Sequence, residues 1–202
     1  AFLAALIPGG AKIQADFTYR AFFFDSDPLI KRFDAFERKF GNDDAIVVAV
    51  HSPSGVFDKD SAELIIKLSD RIWSEVPEVI RVDSLTNFKW VHARGDEITV
   101  EPLIPSDQEL TDELLAERKR IALAHETIPG YLVSKDAKTA LIFGLLKPGI
   151  DKAPDDQHIV TELRKVLAAE KRTDHEFYVS GGPPLSFAFA EAMQYDLSRL
   201  VP

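Results

Sequence analysis

Apolar positions recur along this chain with two periods, and each change of period marks a new element. Leu29, Ile30, Phe33, Phe36 and Phe40 follow helical spacing. Asp27-Pro28 stands in front of them: Asp accepts a bond from an unpaired helix N–H, and Pro is pre-set for the first turn. Gly41 supplies a stop. The spacing predicts a helix from about Pro28 to Phe40 with an aromatic inner face. Ala45 to Val50 is short, continuous and β-branched, the pattern of a strand buried on both faces. Asp58 or Asp60 caps a second helix with Leu64, Ile65, Leu68 and Ile72 on one face, and Pro77 ends it. Val79 to Leu85 is a second strand.

The same order returns later. Thr139 to Leu146 is a strongly apolar strand. Asp155 to Lys171 is a helix with Ile159, Val160, Leu163, Val166 and Leu167 inward, and Glu176 to Ser180 a last short strand. Two βαβ units with helices on one face of a four-stranded sheet predict an α+β, ferredoxin-like split βαβ fold, with the first and third strands central. Between the units lies an insert. It holds a short β-ribbon, Lys89 to Val91 and Ile98 to Val100, turned at Gly95-Asp96. A helix follows from about Thr111 to His125; Ser106-Asp107-Gln108-Glu109 also fits a capping box, so an earlier start stays open. Gly181-Gly182-Pro183-Pro184 reads as a chain reversal, and Ser186 to Leu200 as a helix with Phe189, Met193, Leu197 and Leu200 in one stripe.

Charge narrows the partners. The chain carries 33 acidic and 24 basic residues, a net charge of −9. It has no run of five or more Lys and Arg, so nucleic acid is an unfavourable partner, and so is an anionic membrane surface. The 202 residues contain no cysteine, which excludes disulfides and thiolate chemistry. The longest internal apolar run, Ala45 to Val50, falls far short of the roughly 18 residues that span a bilayer. The apolar start, Ala1 to Ile7, fits either the tail of something longer or a buried first turn.

Little catalytic chemistry is legible. None of the five histidines pairs at i,i+4 on one predicted helix, so no metal motif appears. Asp155-Asp156 reads as a helix cap and Asp43-Asp44 as turn residues rather than as paired acid and base. There is no phosphate loop and no nucleophile elbow. No enzyme, cofactor or metal is expected. The aromatic distribution stands out instead. Phe33, Phe36 and Phe40 fit ordinary core packing, but Phe22-Phe23-Phe24 in succession cannot all face one core. Phe88 and Trp90 sit in the insert, and Phe187 and Phe189 begin the last helix. Some of these rings must cover a partner, a membrane-proximal surface or a ligand groove.

Several segments then point to one family. They are Phe33-Asp34-Ala35-Phe36-Glu37-Arg38-Lys39-Phe40-Gly41-Asn42-Asp43-Asp44 leading into a hydrophobic strand, Pro77 to Asn87, Leu132 to Ala140, and Gly181-Gly182-Pro183-Pro184-Leu185 through Asp196-Leu197. In order and spacing, over nearly the whole chain, they resemble the first large periplasmic loop of resistance–nodulation–division (RND) transporters. The branch is the MMPL-like, hydrophobe/amphiphile-efflux and hopanoid-exporter one, related to Patched and the Niemann–Pick type C transporters. The resemblance implies a single periplasmic porter domain over 1–202, on the periplasmic side of the inner membrane. Its core is 41–87 and 138–182, its insert 88–137, and its membrane-proximal helices lie in 1–40 and 183–202. Ala1 to Ile7 then resembles the exit of transmembrane helix 1, and Leu197 to Pro202 the approach to helix 2.

The family's proton-relay residues lie in transmembrane helices outside this chain, so the expected role is to bind or guide an amphipathic lipid of the sterol or hopanoid class. The expected contacts are Phe22, Phe23, Phe24, Phe88, Trp90, Phe187, Phe189 and Met193. The implied partners are that lipid, the rest of the transporter with its second periplasmic domain, and a periplasmic lipid carrier; a homo-oligomer of the full transporter stays open. Two alternatives remain: an assembly module whose aromatics pack against sister domains without touching cargo, and an unrelated ferredoxin-like enzyme, for which no residue set speaks.

Overall fold

The computed structural model describes residues 23–24, 26–149 and 154–200. Helix α1 spans Pro28–Phe40. The Asp27 carboxylate accepts from the Leu29 N–H at 2.8 Å, and Gly41, at φ 82°, closes the helix onto the Glu37 carbonyl. Then come β1 (Ala45–His51), α2 (Lys59–Glu75) and β2 (Val79–Asp83). The ribbon is β3 (Lys89–Arg94) and β4 (Glu97–Pro102), followed by α3 (Asp112–Ala124). The chain closes with β5 (Thr139–Leu146), α4 (Asp156–Ala169), β6 (Glu176–Gly181) and α5 (Gly182–Leu200). Asp58 caps α2 and Asp155 caps α4, as the sequence predicts.

The architecture is mixed α+β, with a four-stranded sheet and a separate two-stranded ribbon, both antiparallel between neighbours. Strand order in the larger sheet is β2-β5-β1-β6. Since β5 separates β1 from β2 and runs against both, β1 and β2 are parallel to each other. By the same logic β5 and β6 are parallel across β1. Each βαβ unit therefore encloses a strand of the other, and β1 and β5 are the central strands, as the apolar runs predict.

Burial alternates strictly along β1 and β5. Ile46, Val48 and Val50, with Ala140, Ile142, Gly144 and Leu146, are buried beneath Leu64, Ile65, Leu68 and Ile72 of α2 and Ile159, Leu163 and Val166 of α4. Val47, Leu141, Phe143 and Leu145 on the opposite face are only half-buried. The expectation of burial on both faces is thus corrected: α2 and α4 cover one face, and a continuous apolar run does not reveal that the other is only half-buried.

The insert extends the same core. Leu103, Ile104, Leu110, Leu115, Ala122, Ile128 and Leu132 are buried in one cluster with the sheet and its helices. The Leu103 N–H donates to the Phe88 carbonyl and the Ile104 N–H to the Leu85 carbonyl, which holds this stretch extended. The helix accordingly starts at Asp112, capped by Thr111, and not at the Ser106 box.

Two further expectations are corrected. The aromatic face of α1 is not turned inward: Leu29, Phe33, Phe36 and Phe40 are all exposed. The chain passes from β6 directly into α5 at Gly182, without a separate reversal; Pro183 and Pro184 occupy the first turn, where no intrahelical N–H is needed. Gly181 makes this possible at φ 114°, because a Cβ there would lie 2.0 Å from the Ala45 carbonyl oxygen. Among the described residues, no helix is long and apolar enough to cross a membrane. Ala1 to Phe22 and Val201-Pro202 lie outside the described residues, as do the side chains of Leu197 and Leu200.

Candidate functional site

The expected contact residues are distributed over three regions, and Phe22 lies outside the described residues. The first region is the start of α1. The Asp27 N–H donates to the Phe24 carbonyl at 2.9 Å, which sets Phe23 and Phe24 just ahead of the helix. Both rings are exposed. Phe23 joins Leu29, Ile30 and Phe33 around an almost wholly apolar hollow of about 300 Å³.

The second region is the insert, where Phe88 and Trp90 pack against the core instead of facing outward. Phe88 meets the His125 ring edge-on at 5.2 Å. Trp90 stacks on His92 at 3.7 Å, and the buried Arg118 guanidinium lies 4.8 Å from its ring. Arg118 donates to Glu101 at 2.8 Å, while its Nε and Nη1 have no hydrogen-bond partner among the described residues. A guanidinium held over an indole is favourable when desolvated. Trp90 and Arg118 thus fasten the ribbon to α3.

The third region is α5. Its side chains Phe187 and Glu191 meet Arg164 of α4: the guanidinium is 5.0 Å from the Phe187 ring and makes paired 2.9 Å bonds to Glu191. These bonds hold the Glu191 carboxyl below the usual range. Phe189 is exposed and Met193 half-exposed. The ring contacts of Phe88, Trp90 and Phe187 are all with residues outside the expected set, so the eight positions do not converge through them.

The structure also assembles groups that sequence spacing did not bring together. Ser61 Oγ lies 2.9 Å from His175 Nε2, and His175 Nδ1 lies 2.9 Å from the Asp174 carboxylate. This is the order of nucleophile, base and orienting acid in covalent catalysis. Yet Ser61 is fully buried, and its hydroxyl also reaches the Gly55 carbonyl at 3.1 Å and Asp58 at 3.0 Å. No substrate carbonyl can approach an oxygen enclosed in that way. The arrangement ties the first turn of α2 to the approach to β6, and the bond from His175 holds the Asp174 carboxyl below the usual range. A hollow of about 540 Å³ lies beside it, lined by Arg164, Leu167, Lys171, His175, Phe177 and Tyr178. The signal for this contact was absent from the sequence, since Ser61 and His175 are 114 residues apart.

No protein-family model matches this chain, and no curated protein matches it. Among the described residues, no group of three or more His, Asp or Glu side chains is placed to hold a metal ion.

Proposed function

We propose that this chain is the first periplasmic porter domain of an RND-type transporter, folded as a ferredoxin-like split βαβ unit, and that it binds and guides an amphipathic polycyclic lipid of the sterol or hopanoid class. The observation that carries this reading is the strand order β2-β5-β1-β6 with two interleaved βαβ units, the topology that the repeated strand–helix–strand pattern predicts for the proposed porter domain. Exposed rings ahead of α1 and on α5 support the lipid part of the reading. Phe23, Phe24 and Phe189 offer apolar surface that the core does not use. Phe88 and Trp90 are committed to the ribbon, so the lipid contacts are assigned chiefly to Phe23, Phe24, Phe189 and Met193. In this reading the domain works on the periplasmic side of the inner membrane, beside its sister domain and with a periplasmic lipid carrier, and the chemistry is binding rather than catalysis.

Three or four rings that leave water on a ligand support a Kd on the order of micromolar after association costs. Thermophoresis of the labelled chain against a sterol and against a linear fatty acid tests this. Saturable binding of the sterol, weakened about tenfold or more in Phe189→Ala/Met193→Ala, is the expected result. No saturable binding of the sterol would remove the lipid reading for this chain.

The half-buried outer face of the sheet favours a second reading. Val47, Leu141, Phe143 and Leu145 form an apolar patch on which Tyr131 stacks against Phe143 at 4.9 Å. A neighbouring porter domain seated there would make this chain an assembly module. No saturable sterol binding, alongside self-association that is lost in Val47→Asp, would favour that reading.

A further inference from the structure

The two edges of the four-stranded sheet are finished differently. At β2 the register with β5 shifts between Val79 and Arg81, Glu78 just ahead sits at φ 66°, and Arg81 and Asp83 form an ion pair on the strand itself. Bulges and charges of this kind keep a further strand from adding. At β6 none of these devices is present. Its register with β1 is unbroken from Glu176 to Gly181, it contains no Pro, and its one charged residue is Glu176 at the start. In an antiparallel pair, alternate residues of β6 turn their N–H and C=O groups away from β1. Among the described residues, no other strand or loop bonds to that backbone. Val179 and Phe177 stand opposite the buried Val48 and Val50, so they share the helix side of the sheet. Val179 is nevertheless exposed. The 540 Å³ hollow is walled by Leu167 and Ala168 of α4, by Phe177 on the helix side of β6 and by Tyr178 on the other side. It therefore opens at the strand's edge, with apolar walls on the helix side.

One stretch of the sequence has the period of a strand and no place among β1 to β6. In residues 12–21, Ile13, Ala15, Phe17, Tyr19 and Ala21 alternate without a break with Lys12, Gln14, Asp16, Thr18 and Arg20. Strict alternation with β-branched and aromatic residues suits a strand with one face covered and one in water. The edge of β6 offers that environment: an apolar hollow on one side, solvent on the other. This segment lies outside the described residues. Covalent reach allows the match. Gly181, at the end of β6, packs against Ala45. Residues 22–44 join the segment to Ala45, with α1 taking up about 20 Å of that path. The linkers on either side of α1 span up to about 20 and 13 Å. A tethered segment meets the edge at an effective concentration on the order of millimolar, which a second copy at micromolar concentration does not match.

We infer that residues 12–21 dock on the open edge of β6 as a fifth strand, with Ile13, Phe17 and Tyr19 over the hollow and Lys12, Asp16 and Arg20 in solvent. Main-chain bonds to β6 supply the affinity and the hollow selects the apolar face, as in strand addition generally. The inference does not rest on the lipid reading. The test is amide hydrogen exchange of the full chain, followed by NMR. The β6 amides that face away from β1 should exchange at least about tenfold more slowly than in Phe17→Pro/Tyr19→Pro, which removes two rings and two N–H donors from the segment. The amides of β1 and β5 should stay equally protected in both. The chain has no cysteine, so Thr18→Cys takes a single nitroxide label. The label should broaden β6 amides more strongly than those of β2, which lies three strand spacings, about 14 Å, further across the sheet. Should the proline variant lose protection in β1 and β5, the wild-type exchange rates and the label decide. Rapid exchange of the outward β6 amides in the wild type overturns the inference. So does protection that a folded proline variant retains, or broadening no stronger at β6 than at β2. Protection that fades when the wild type is diluted assigns the edge to a second copy and overturns it equally.

Discussion

Ser61 has a single hydroxyl proton and three neighbours that can accept it: the Gly55 carbonyl, the Asp58 carboxylate and, in one ring tautomer, His175 Nε2. Asp174 accepts at Nδ1, which leaves Nε2 of a neutral ring as an acceptor for that proton. Removing the hydroxyl strands a buried ring nitrogen, and an unsatisfied buried polar group costs about 1–3 kcal/mol. Ser61→Ala is therefore expected to lower unfolding stability by about that amount in urea titration. Stability within error of the wild type would show that His175 needs no partner there. Spacing along the chain could not reveal this contact, since it depends on how α2 and the β6 approach meet. Asp58 as the cap, by contrast, was legible because capping is local: its carboxylate accepts from the Ser61 N–H three residues on, at 2.8 Å.

At the scale of elements, α2 and α4 are locked together by charge as well as by packing. Glu170, buried just past the end of α4, receives Arg71 at 2.8 Å and Lys67 at 2.9 Å, both from α2, and Arg71 also holds Glu75 at 2.7 Å. Burial alone would raise the Glu170 pKa, but the two cationic donors outweigh it and hold the carboxyl below its usual range. A carboxyl depressed in the folded state contributes stability that is present above its unfolded value of about 4.3 and is lost as pH falls through the lower folded value. Thermal unfolding followed between pH 7 and pH 3 should show a falling Tm in acid. Glu170→Gln should be less stable at pH 7 and lose less of its stability over that range. A Glu170→Gln profile parallel to the wild type would assign the acid limb to other carboxylates.

The elements themselves were largely legible. Period, caps and breakers are local, and β1, β5, α1 and the ribbon turn lie where the pattern sets them. That the apolar stripe of α1 stays exposed was not legible. A helical period reports an apolar face without saying what covers it, and α2 and α4 already fill the covered side of the sheet. Trp90 was hidden for the opposite reason. Its neighbour Arg118 belongs to a helix 28 positions along the chain in the sequence, and their meeting depends on how α3 folds back over the ribbon.

At the scale of the whole molecule, the insert and the sheet share one hydrophobic cluster. Leu85 from the end of the first βαβ unit, Leu103 and Ile104 after the ribbon, Leu115 from α3 and Leu132 before β5 are all essentially inaccessible to solvent within it. An insert folded on its own would instead bury its apolar residues among themselves. Because the cluster is continuous, loss of the insert's packing exposes the sheet, and the chain should unfold in one cooperative step. The two tryptophans make this measurable. Trp73 lies on α2, and Trp90 in the ribbon is packed against the core. In a Trp73→Phe variant, Trp90 emission should follow the same urea midpoint as far-UV circular dichroism, which reports mainly the helices. Leu115→Ala, a truncation in the insert, should then shift both midpoints together, at a cost of about 2–5 kcal/mol for a buried leucine. A Trp90 transition that precedes the loss of helix, or a Leu115→Ala shift seen by Trp90 alone, would show that the insert opens independently of the sheet.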